Sequence, residues 1–419
     1  MSDKFVVQGG RRLHGRVLVS GSKNSSVASL PAALLASDTS TLENVPAIKD
    51  VTIFADILQS LGAQIEFNEG SKVIINPNGF KAWEAPYELV RRLRASYYLL
   101  GVLLAKFGRA EVAMPGGCDI GLRPIDQHIK GFRALGAEVV LEHGIVKIHA
   151  PCLTGASIYL DVVSVGATVN IMLAATLAHG TTIIENAAKE PHIVDLANYL
   201  NAMGARVQGA GTDIIRIKGV QELRGTHHPV IPDEIEAGTI LLAGVATRGD
   251  VTVENVIPKH LESILAKLSE MGAAVEDLGD SVRVIADEKP RAVNAKTLPY
   301  PGFPTDLQQP LVAVMAKADG VSMIQETMYD NRFSYANELI RMGASVKVDG
   351  RTAIVEGVDI LYGAPVTAND LRGGAALLIA SLSAQGDTEI YGIKHIDRGY
   401  EGLESKLTAL GAKVQRVAE

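Results

Sequence analysis

The 419-residue chain is 47% hydrophobic and 21% charged, which is the composition of a folded globular protein longer than a usual single domain. Its net charge is −7 and no run of Lys or Arg stands out, so we expect neither a nucleic acid nor a membrane as partner. The two cysteines, Cys118 and Cys152, cannot form a disulfide framework. The N-terminus predicts a strand rather than a signal peptide, and the uncharged stretch 162–184 is too polar to span a membrane, so we expect a cytoplasmic protein.

Six predicted helices end in a shared signature: LQSLGA, FRALGA, LNAMGA, LSEMGA, LIRMGA and LTALGA. Their glycines follow one another at intervals of 68 to 74 residues and are Gly62, Gly136, Gly204, Gly272, Gly343 and Gly411. Glycine is typical of the position just past a helix end, where the backbone turns left-handed. The spacing therefore predicts six copies of one structural unit.

Each signature is followed by a predicted strand, a turn and a second strand, except in the sixth copy, which has only the strand 412–416. Residues 4–8 and 16–20 can supply the missing strands, so we expect the N-terminus to complete the last repeat. The predicted domains are 22–232, and 1–21 together with 233–419. Each repeat opens with a helix rich in small apolar residues, which predicts burial; these helices are 27–36, 95–106, 167–178, 237–247, 307–316 and 375–384. The fold class is α/β, with sheets around buried helices in both domains.

Polar and charged residues depart from this apolar plan at two loops in each repeat. The first loop precedes the buried helix. In the six repeats in turn it contains Lys23, Arg94, Ser164, Asp233, Asp306, and Asp370 with Arg372. The second loop precedes the outer helix. In the six repeats in turn it contains Lys49, Cys118 with Arg123, Lys189, Lys259, Arg332 and Arg398. Helix N-termini with nearby Lys or Arg bind anions, so these loops predict a cationic site for a small polyanion.

Simpler interpretations exist for several of these residues. Asp306 and Asp370 could only cap helices, which is the commoner role of Asp there. The GSKN segment around Lys23 lacks the pattern of a phosphate loop. We expect His227 and His228 to be exposed rather than metal ligands, and no metal or cofactor motif is present. Cys152 fits a buried structural cysteine, whereas Cys118 follows a flexible Pro-Gly-Gly turn and is a candidate reactive thiol.

Together these segments resemble the enolpyruvyl transferases, and among them the UDP-N-acetylglucosamine 1-carboxyvinyltransferases, along essentially the whole chain. The matching segments are SGSKN (20–24), LRAS (93–96), PGGCDIGLRPID (115–126), SVGATVN (164–170), NAAKEPHIVDLA (186–197), YPGFPTD (300–306), ETMYDNRF (326–333), NDLRGG (369–374) and HIDRGYE (395–401). The PGGC loop distinguishes this branch from the enolpyruvyl-shikimate-phosphate synthases. The resemblance implies two inside-out α/β barrel domains of three repeats each, and the first committed step of peptidoglycan synthesis.

The resemblance also implies a substrate site for phosphoenolpyruvate and UDP-N-acetylglucosamine, without a cofactor. Lys23, Arg123 and Arg398 would hold the phosphate of phosphoenolpyruvate, with Arg94, Arg372 and Arg332 nearby. The residues that would contact the UDP-sugar or border its nucleotide are Asn24, Arg123, Pro124, Ile125, Asp126, Gln127, Ser164, Val165, Gly166, Asp306 and Met328. Asp370 joins the substrate-binding candidates.

The implied reaction is an addition–elimination. The sugar 3′-hydroxyl attacks C2 of phosphoenolpyruvate while C3 takes a proton, and the tetrahedral adduct then loses phosphate after a proton is removed from C3. Several cations are needed because the phosphate alone carries a charge of about −1.5 to −2. Asp306 is expected to act as the base, while either Lys23 or Cys118 protonates C3. The resemblance further makes Cys118 the residue that the epoxide fosfomycin alkylates. Two other interpretations are 3-phosphoshikimate as acceptor and a non-catalytic ligand-binding paralogue.

Overall fold

The computed structural model describes residues 3–114 and 124–418. Contacts between Cα atoms divide them into two units, one made of residues 21–114 and 124–231 and the other of residues 3–20 and 232–418. Each unit has its own buried apolar core. None of the helices in the described part of the chain is long and apolar enough to cross a membrane.

The strands are numbered along the chain. They are β1 (Asp3–Gln8), β2 (His14–Leu18), β3 (Ser40–Glu43), β4 (Gln64–Asn68), β5 (Lys72–Asn76), β6 (Arg109–Ala113), β7 (Glu138–Glu142), β8 (Ile145–His149), β9 (Ser157–Tyr159), β10 (Thr181–Glu185), β11 (Arg206–Gln208), β12 (Ile214–Lys218), β13 (His227–Pro229), β14 (Asp250–Glu254), β15 (Ala274–Asp277), β16 (Ser281–Ile285), β17 (Ala295–Lys296), β18 (Val321–Gln325), β19 (Ser345–Asp349), β20 (Thr352–Glu356), β21 (Pro365–Thr367), β22 (Asp387–Tyr391) and β23 (Lys413–Ala418).

The α-helices are numbered in the same way. They are α1 (Lys23–Ala32), α2 (Lys49–Ser60), α3 (Tyr87–Val90), α4 (Tyr98–Phe107), α5 (Asp126–Ala134), α6 (Val165–Ala175), α7 (Pro191–Ala202), α8 (Glu234–Ala246), α9 (Glu262–Glu270), α10 (Gln308–Met315), α11 (Ala336–Arg341), α12 (Leu371–Ser383) and α13 (Leu403–Ala409). Short 3-10 helices lie at Ala33–Leu35, Arg94–Tyr97, Pro258–Leu261, Thr305–Leu307 and Ile393–Arg398.

The strands of the described residues form six small sheets, three in each unit. In the unit containing residues 21–231 the strand orders are β13-β3-β5-β4, β6-β8-β7 and β11-β12-β10-β9. In the other unit they are β15-β16-β14-β2, β17-β18-β20-β19 and β21-β22-β1-β23. Strand pairing within the described segments does not continue from one sheet to the next, so each unit holds three open sheets rather than one closed barrel.

Four of the six sheets share one plan, in which a hairpin pairs antiparallel with a central strand and a short strand pairs parallel on its other side. In the three-stranded sheet β6-β8-β7 the described residues form the hairpin and the central strand. In the last sheet β1 takes the place of the second hairpin strand, antiparallel to both β22 and β23. The strand β2 lies parallel to β14 as the short strand of the next sheet.

The six signature glycines adopt the left-handed backbone that the sequence predicts, with φ between 92° and 103°. The alanine after each glycine donates its N–H to a carbonyl of the preceding helix, as in Ala63 to Leu58 (3.1 Å) and Ala412 to Leu407 (3.0 Å). This 6→1 hydrogen bond closes the helix and turns the chain toward the following strand.

The small-residue helices α1, α4, α6, α8, α10 and α12 are buried along most of their length, as predicted. Several begin earlier than the composition suggests, because their first turns carry polar residues. Lys23, Val165 and Arg372 therefore lie in the first helical turn rather than in a preceding loop.

Two expectations from the sequence are wrong. Cys152 is exposed, because it lies in the turn that follows β8 rather than in a strand. His228 is buried while His227 is exposed, because the alternation of side chains along β13 turns only His228 inward. There His228 Nε2 lies 2.9 Å from an oxygen of buried Asp195, and its ring lies 5.0 Å from the ring of Tyr199.

Candidate functional site

Two of the predicted site residues, Cys118 and Arg123, lie outside the described residues. The other predicted residues divide between the two units, and each group is described within its own unit.

In the unit containing residues 232–418, Asp306 lies between two buried arginines. Arg332 donates from Nη2 to Asp306 Oδ1 (2.5 Å), and Arg372 donates from Nε and Nη2 to Asp306 Oδ2 (3.1 and 2.9 Å). The arginine side chains are only 4% and 3% exposed, while that of Asp306 is 29% exposed. Asp306 therefore forms a shared ion pair, and its side-chain bonds are not those of a helix cap.

The guanidinium of Arg372 keeps its charge despite its burial. Burial by itself opposes the charged form, but Tyr400, Asp306 and Asp233 outweigh it and raise the pKa of Arg372. The guanidinium carbon lies 5.0 Å from the centre of the Tyr400 ring. Its third nitrogen, Nη1, is buried without a hydrogen-bond acceptor among the described residues. A buried cationic donor without an acceptor is costly, so this atom marks a place where an anion would be stabilised.

Asp370 is the N-cap of α12, as the simpler interpretation predicts. Its Oδ1 accepts the N–H groups of Arg372 (3.0 Å) and Gly373 (2.9 Å). By capping the helix, Asp370 fixes the turn that presents Arg372 to Asp306. Arg398 ends the 3-10 helix Ile393–Arg398 and is half-buried.

Met328 lies in the turn after β18, in the same unit as Asp306. Its N–H donates to the side chain of Glu326 at 2.7 Å. Glu326 belongs to a segment that the sequence singled out, but no role was predicted for it. The alternation of buried Ser322 and Ile324 along β18 extends to Glu326, and this pattern was the available signal that its carboxylate is buried.

In the unit containing residues 21–231, Lys23 begins α1 and lies beside Asp50 of α2. The Lys23 Nζ–Asp50 Oδ2 distance is 3.2 Å, and the Asp50 side chain is only 2% exposed. Ser22 caps the helix by accepting the N–H of Ser25 (3.3 Å). Asn24 follows Lys23 in the first turn and is half-buried. The first turn of α1 thus places an ammonium group at a helix N-terminus, a combination suited to an anion.

A buried hydrogen-bond network holds the first turn of α1 in place. The Ser25 hydroxyl donates to Asp195 of α7, and the other oxygen of Asp195 lies 2.9 Å from His228 Nε2. These side chains are buried. No local sequence pattern indicates this network, since its bonded pairs are 170 and 33 residues apart in the chain.

The predicted nucleotide residues 124–127 lie at the start of α5. Pro124 and Asp126 are exposed, whereas Ile125 and Gln127 are buried. Gln127 donates to Asp126 (2.7 Å) and accepts the N–H of Asp161 (2.9 Å).

The start of α6 is fixed by its cap and by a buried histidine. Ser164 caps the helix by accepting the N–H of Ala167 (3.3 Å). A Cβ atom on Gly166 would lie 2.9 Å from His128 Nε2, so the helix start packs directly on that ring. Asn170 Nδ2 lies 2.9 Å from His128 Nδ1. Burial lowers the pKa of His128 to about 4, so the ring is neutral at pH 7.

Arg94 begins the 3-10 helix before α4 and is half-buried. Its positive charge is one of the influences that lower the pKa of His128. Among the predicted site residues that the structure describes in this unit, Lys23 and Arg94 are the cations. In neither unit does the described part of the chain contain three or more His, Cys, Asp or Glu side chains grouped to hold a metal ion.

Comparison with known proteins assigns the chain to a family. Residues 7–407 match the family described as EPSP synthase (3-phosphoshikimate 1-carboxyvinyltransferase). UDP-N-acetylglucosamine 1-carboxyvinyltransferase 3 of Caldanaerobacter subterraneus subsp. tengcongensis is 58% identical, with 100% of both chains covered. UDP-N-acetylglucosamine 1-carboxyvinyltransferase of Clostridium botulinum is 54% identical, over 99% of this chain and 100% of that one.

Solved structures show the same fold. The enolpyruvyl transferase NikO from Streptomyces tendae superposes with a TM-score of 0.90 at 27% identity, with 100% of both chains covered. EPSP synthase from Acinetobacter baumannii has a TM-score of 0.76 at 20% identity, again over 100% of both chains, which shows the fold alone. The chain therefore belongs to the EPSP synthase family of enolpyruvyl transferases, and within it to the UDP-N-acetylglucosamine 1-carboxyvinyltransferases.

Proposed function

We propose that this protein transfers the enolpyruvyl group of phosphoenolpyruvate to the 3′-hydroxyl of UDP-N-acetylglucosamine and releases phosphate, the first committed step of peptidoglycan synthesis. The observation that carries the proposal is the Asp306 carboxylate held by two buried arginines, one of which has a buried donor that finds no acceptor among residues 3–114 and 124–418. This arrangement combines a carboxylate that is held in place as a base with a guanidinium group that can bind an anion, and the transfer requires both.

The arginines would bind and polarise the anionic substrate. Phosphoenolpyruvate has a carboxylate and a phosphate, and guanidinium groups recognise both with paired hydrogen bonds. Arg372 Nη1 gains an acceptor when such an anion binds. Positive charge directed at the departing phosphate stabilises the transition state in which that group leaves. Arg398, Arg332, Arg94, Arg123 and Lys23 complete the proposed set of cations.

Asp306 would take the proton of the attacking sugar hydroxyl. Hydrogen bonds from two guanidinium groups favour its charged form, which is the form a base requires. They also fix both of its oxygens, so the carboxylate is held in place before the hydroxyl arrives. Lys23 or Cys118 would deliver the proton to C3. A proton then leaves C3 as phosphate departs, which restores the double bond of the enolpyruvyl group.

We propose that the starts of α1 and α6 bind the UDP-sugar and that Met328 also contacts it. Asn24, Ser164, Val165 and Gly166 occupy the first turns or caps of α1 and α6, where N–H groups suit the diphosphate. Residues 124–127 at the start of α5 would border the nucleotide, and Asp370 would act by shaping the turn that carries Arg372. The reaction needs no cofactor, and we propose that it takes place in the cytoplasm.

Phosphate release with two alternative acceptors tests the proposal. The protein is mixed with phosphoenolpyruvate and either UDP-N-acetylglucosamine or 3-phosphoshikimate, and inorganic phosphate is measured over time. We expect phosphate release when the acceptor is UDP-N-acetylglucosamine and none when it is 3-phosphoshikimate. Release with 3-phosphoshikimate instead would move the protein to the other branch of the family, and no release with either would favour a non-catalytic paralogue.

A further inference from the structure

Glu326 lies at the end of β18, and its carboxylate joins separate parts of one unit. Glu326 is only 1% exposed. Oε1 accepts the N–H groups of Met328 (2.7 Å) and Tyr329 (3.2 Å) and the hydroxyl of Thr297 (2.9 Å). Oε2 accepts the hydroxyl of Thr305 (2.8 Å). Four donors from three chain segments thus converge on one buried carboxylate.

Two of the three segments that meet Glu326 carry proposed substrate residues. Thr305 immediately precedes Asp306 in the 3-10 helix Thr305–Leu307. Met328 lies in the turn after β18, on the other side of the carboxylate. A second link reinforces the connection, because Thr327 donates its N–H to Thr297 Oγ1 (2.8 Å). The carboxylate therefore sets the position of Met328 relative to the loop that carries Asp306.

A buried carboxylate is an expensive way to hold a fold together. Removing it from water costs free energy, which its hydrogen bonds recover only when their geometry is good, and apolar residues of similar volume stabilise as well or better. Charged acceptors form stronger and more directional hydrogen bonds than neutral ones. Such a group is well suited to fixing the relative position of two loops to a fraction of an ångström.

We propose that Glu326 is a positioning residue for the sugar nucleotide, holding Met328 and the Asp306 loop in one fixed arrangement. This inference rests on the proposed function, since it takes Asp306 and Met328 as residues that meet the UDP-sugar. Glu326 itself is buried behind both loops and acts through them. It is not expected to affect phosphoenolpyruvate binding directly, because the four donors that meet its carboxylate are neutral groups.

Steady-state kinetics of Glu326→Ala and Glu326→Gln test the proposal. Loss of hydrogen bonds to a charged group changes affinities by about tenfold. We therefore expect Glu326→Ala to raise KM for UDP-N-acetylglucosamine at least about tenfold and to lower kcat, while KM for phosphoenolpyruvate changes by less than about twofold. Glu326→Gln keeps one oxygen for Met328, Tyr329 and Thr297, so it should restore most of the affinity.

Glu338→Ala is the matched control. The Glu338 side chain is 14% exposed and its carboxylate accepts the N–H of Thr367 (3.0 Å), a bond that touches no proposed substrate residue. This variant should lower Tm and leave both KM values unchanged. If Glu326→Ala behaves like this control, with a lower Tm but unchanged kinetics, the carboxylate is only structural and the inference is wrong.

Thr305→Val keeps the test decisive if Glu326→Ala does not fold. It removes only the link from Glu326 Oε2 to the Asp306 loop. We expect a lower kcat with a KM for the UDP-sugar close to that of the wild type, and unchanged kcat would overturn the inference. Turnover by the wild type separates this inference from the proposed function: an inactive wild type contradicts the function, whereas an active wild type with unaffected variants contradicts only the role of Glu326.

Discussion

Replacing Asp306 by asparagine removes a carboxylate that Arg332 and Arg372 share. The amide oxygen can accept from one guanidinium, but the amide NH2 group then faces donors of the other. Two buried positive charges are left without their counter-ion. Removing one member of a buried ion pair costs about 3–5 kcal/mol.

The expected cost here is smaller, because the Asp306 side chain is 29% exposed and water screens the charges. Discounting for that screening gives about 2 kcal/mol. For a folding unit of about 200 residues this corresponds to a fall in Tm of roughly 4–8 °C. Turnover should fall at least about 100-fold, which is the usual contribution of a general base. UDP-sugar binding should stay within a few-fold of wild type.

An added anion distinguishes this explanation from general damage to the fold. Inorganic phosphate can neutralise the two arginines, so it should raise the Tm of Asp306→Asn more than that of the wild type. The assays are thermal unfolding with and without phosphate, calorimetric binding of the UDP-sugar, and phosphate release under turnover conditions.

Asp250→Asn is the control for Asp306→Asn. Asp250 is 25% exposed and is paired by Arg283 through two hydrogen bonds of 2.8 Å, in the same unit but on a sheet surface. It should show normal turnover and the phosphate response of the wild type. Near-normal phosphate release by Asp306→Asn would refute its role as base, and an equal phosphate response in both variants would refute the charge argument.

Three further predictions concern pH and packing. The pKa of His128 is lowered from 6.5 to about 4, so the wild type should lose stability as pH falls from 6.5 to 4. His128→Gln should lose less stability over this range, and parallel curves of Tm against pH for the two proteins would contradict this. Burial raises the pKa of Glu234 from 4.5 to about 8, so the neutral form is favoured and stability falls as pH rises across that interval; Glu234→Gln should gain Tm relative to wild type at pH 8 but not at pH 4.5. Gly166→Ala should raise KM for the UDP-sugar at least a few-fold, because the new Cβ would lie 2.9 Å from His128 Nε2; unchanged kinetics would show that the helix start adjusts freely.

The repeated fold was readable from the sequence because its signal is local. Each signature glycine follows a helix end directly, and the backbone geometry it requires is a property of that residue and its neighbours. The small-residue helices were recognisable for the same reason. The first residues of these helices were not recognisable. The first turns of α1 and α12 carry Lys23 and Arg372, and charged residues before an apolar helix are more typical of a loop.

The site was only partly predictable, because its geometry joins distant residues. Asp306 and Arg372 are 66 positions apart, so nothing local indicates that the carboxylate pairs with arginines instead of capping a helix. Asp370 has the same residue type in a similar loop and does cap its helix. His228 was expected to be exposed, yet Asp195, 33 residues earlier in the chain, makes its burial favourable. Which polar residue is buried thus depends on partners that only the folded chain brings together.

The position of β1 has a consequence for the order in which the chain folds during synthesis. β1 is made long before β22 and β23, the strands with which it pairs, with Asp3 opposite Ala418. Both of its edges stay without their partners until residues 387–418 have been made, whereas the described residues between 21 and 231 have a core and three sheets of their own. Closure of the sheet is thus a late step whose contacts span nearly the full length of the chain, the kind of contact that slows folding most. A chain stalled before residue 387 would expose an unpaired β1 to chaperones or to aggregation.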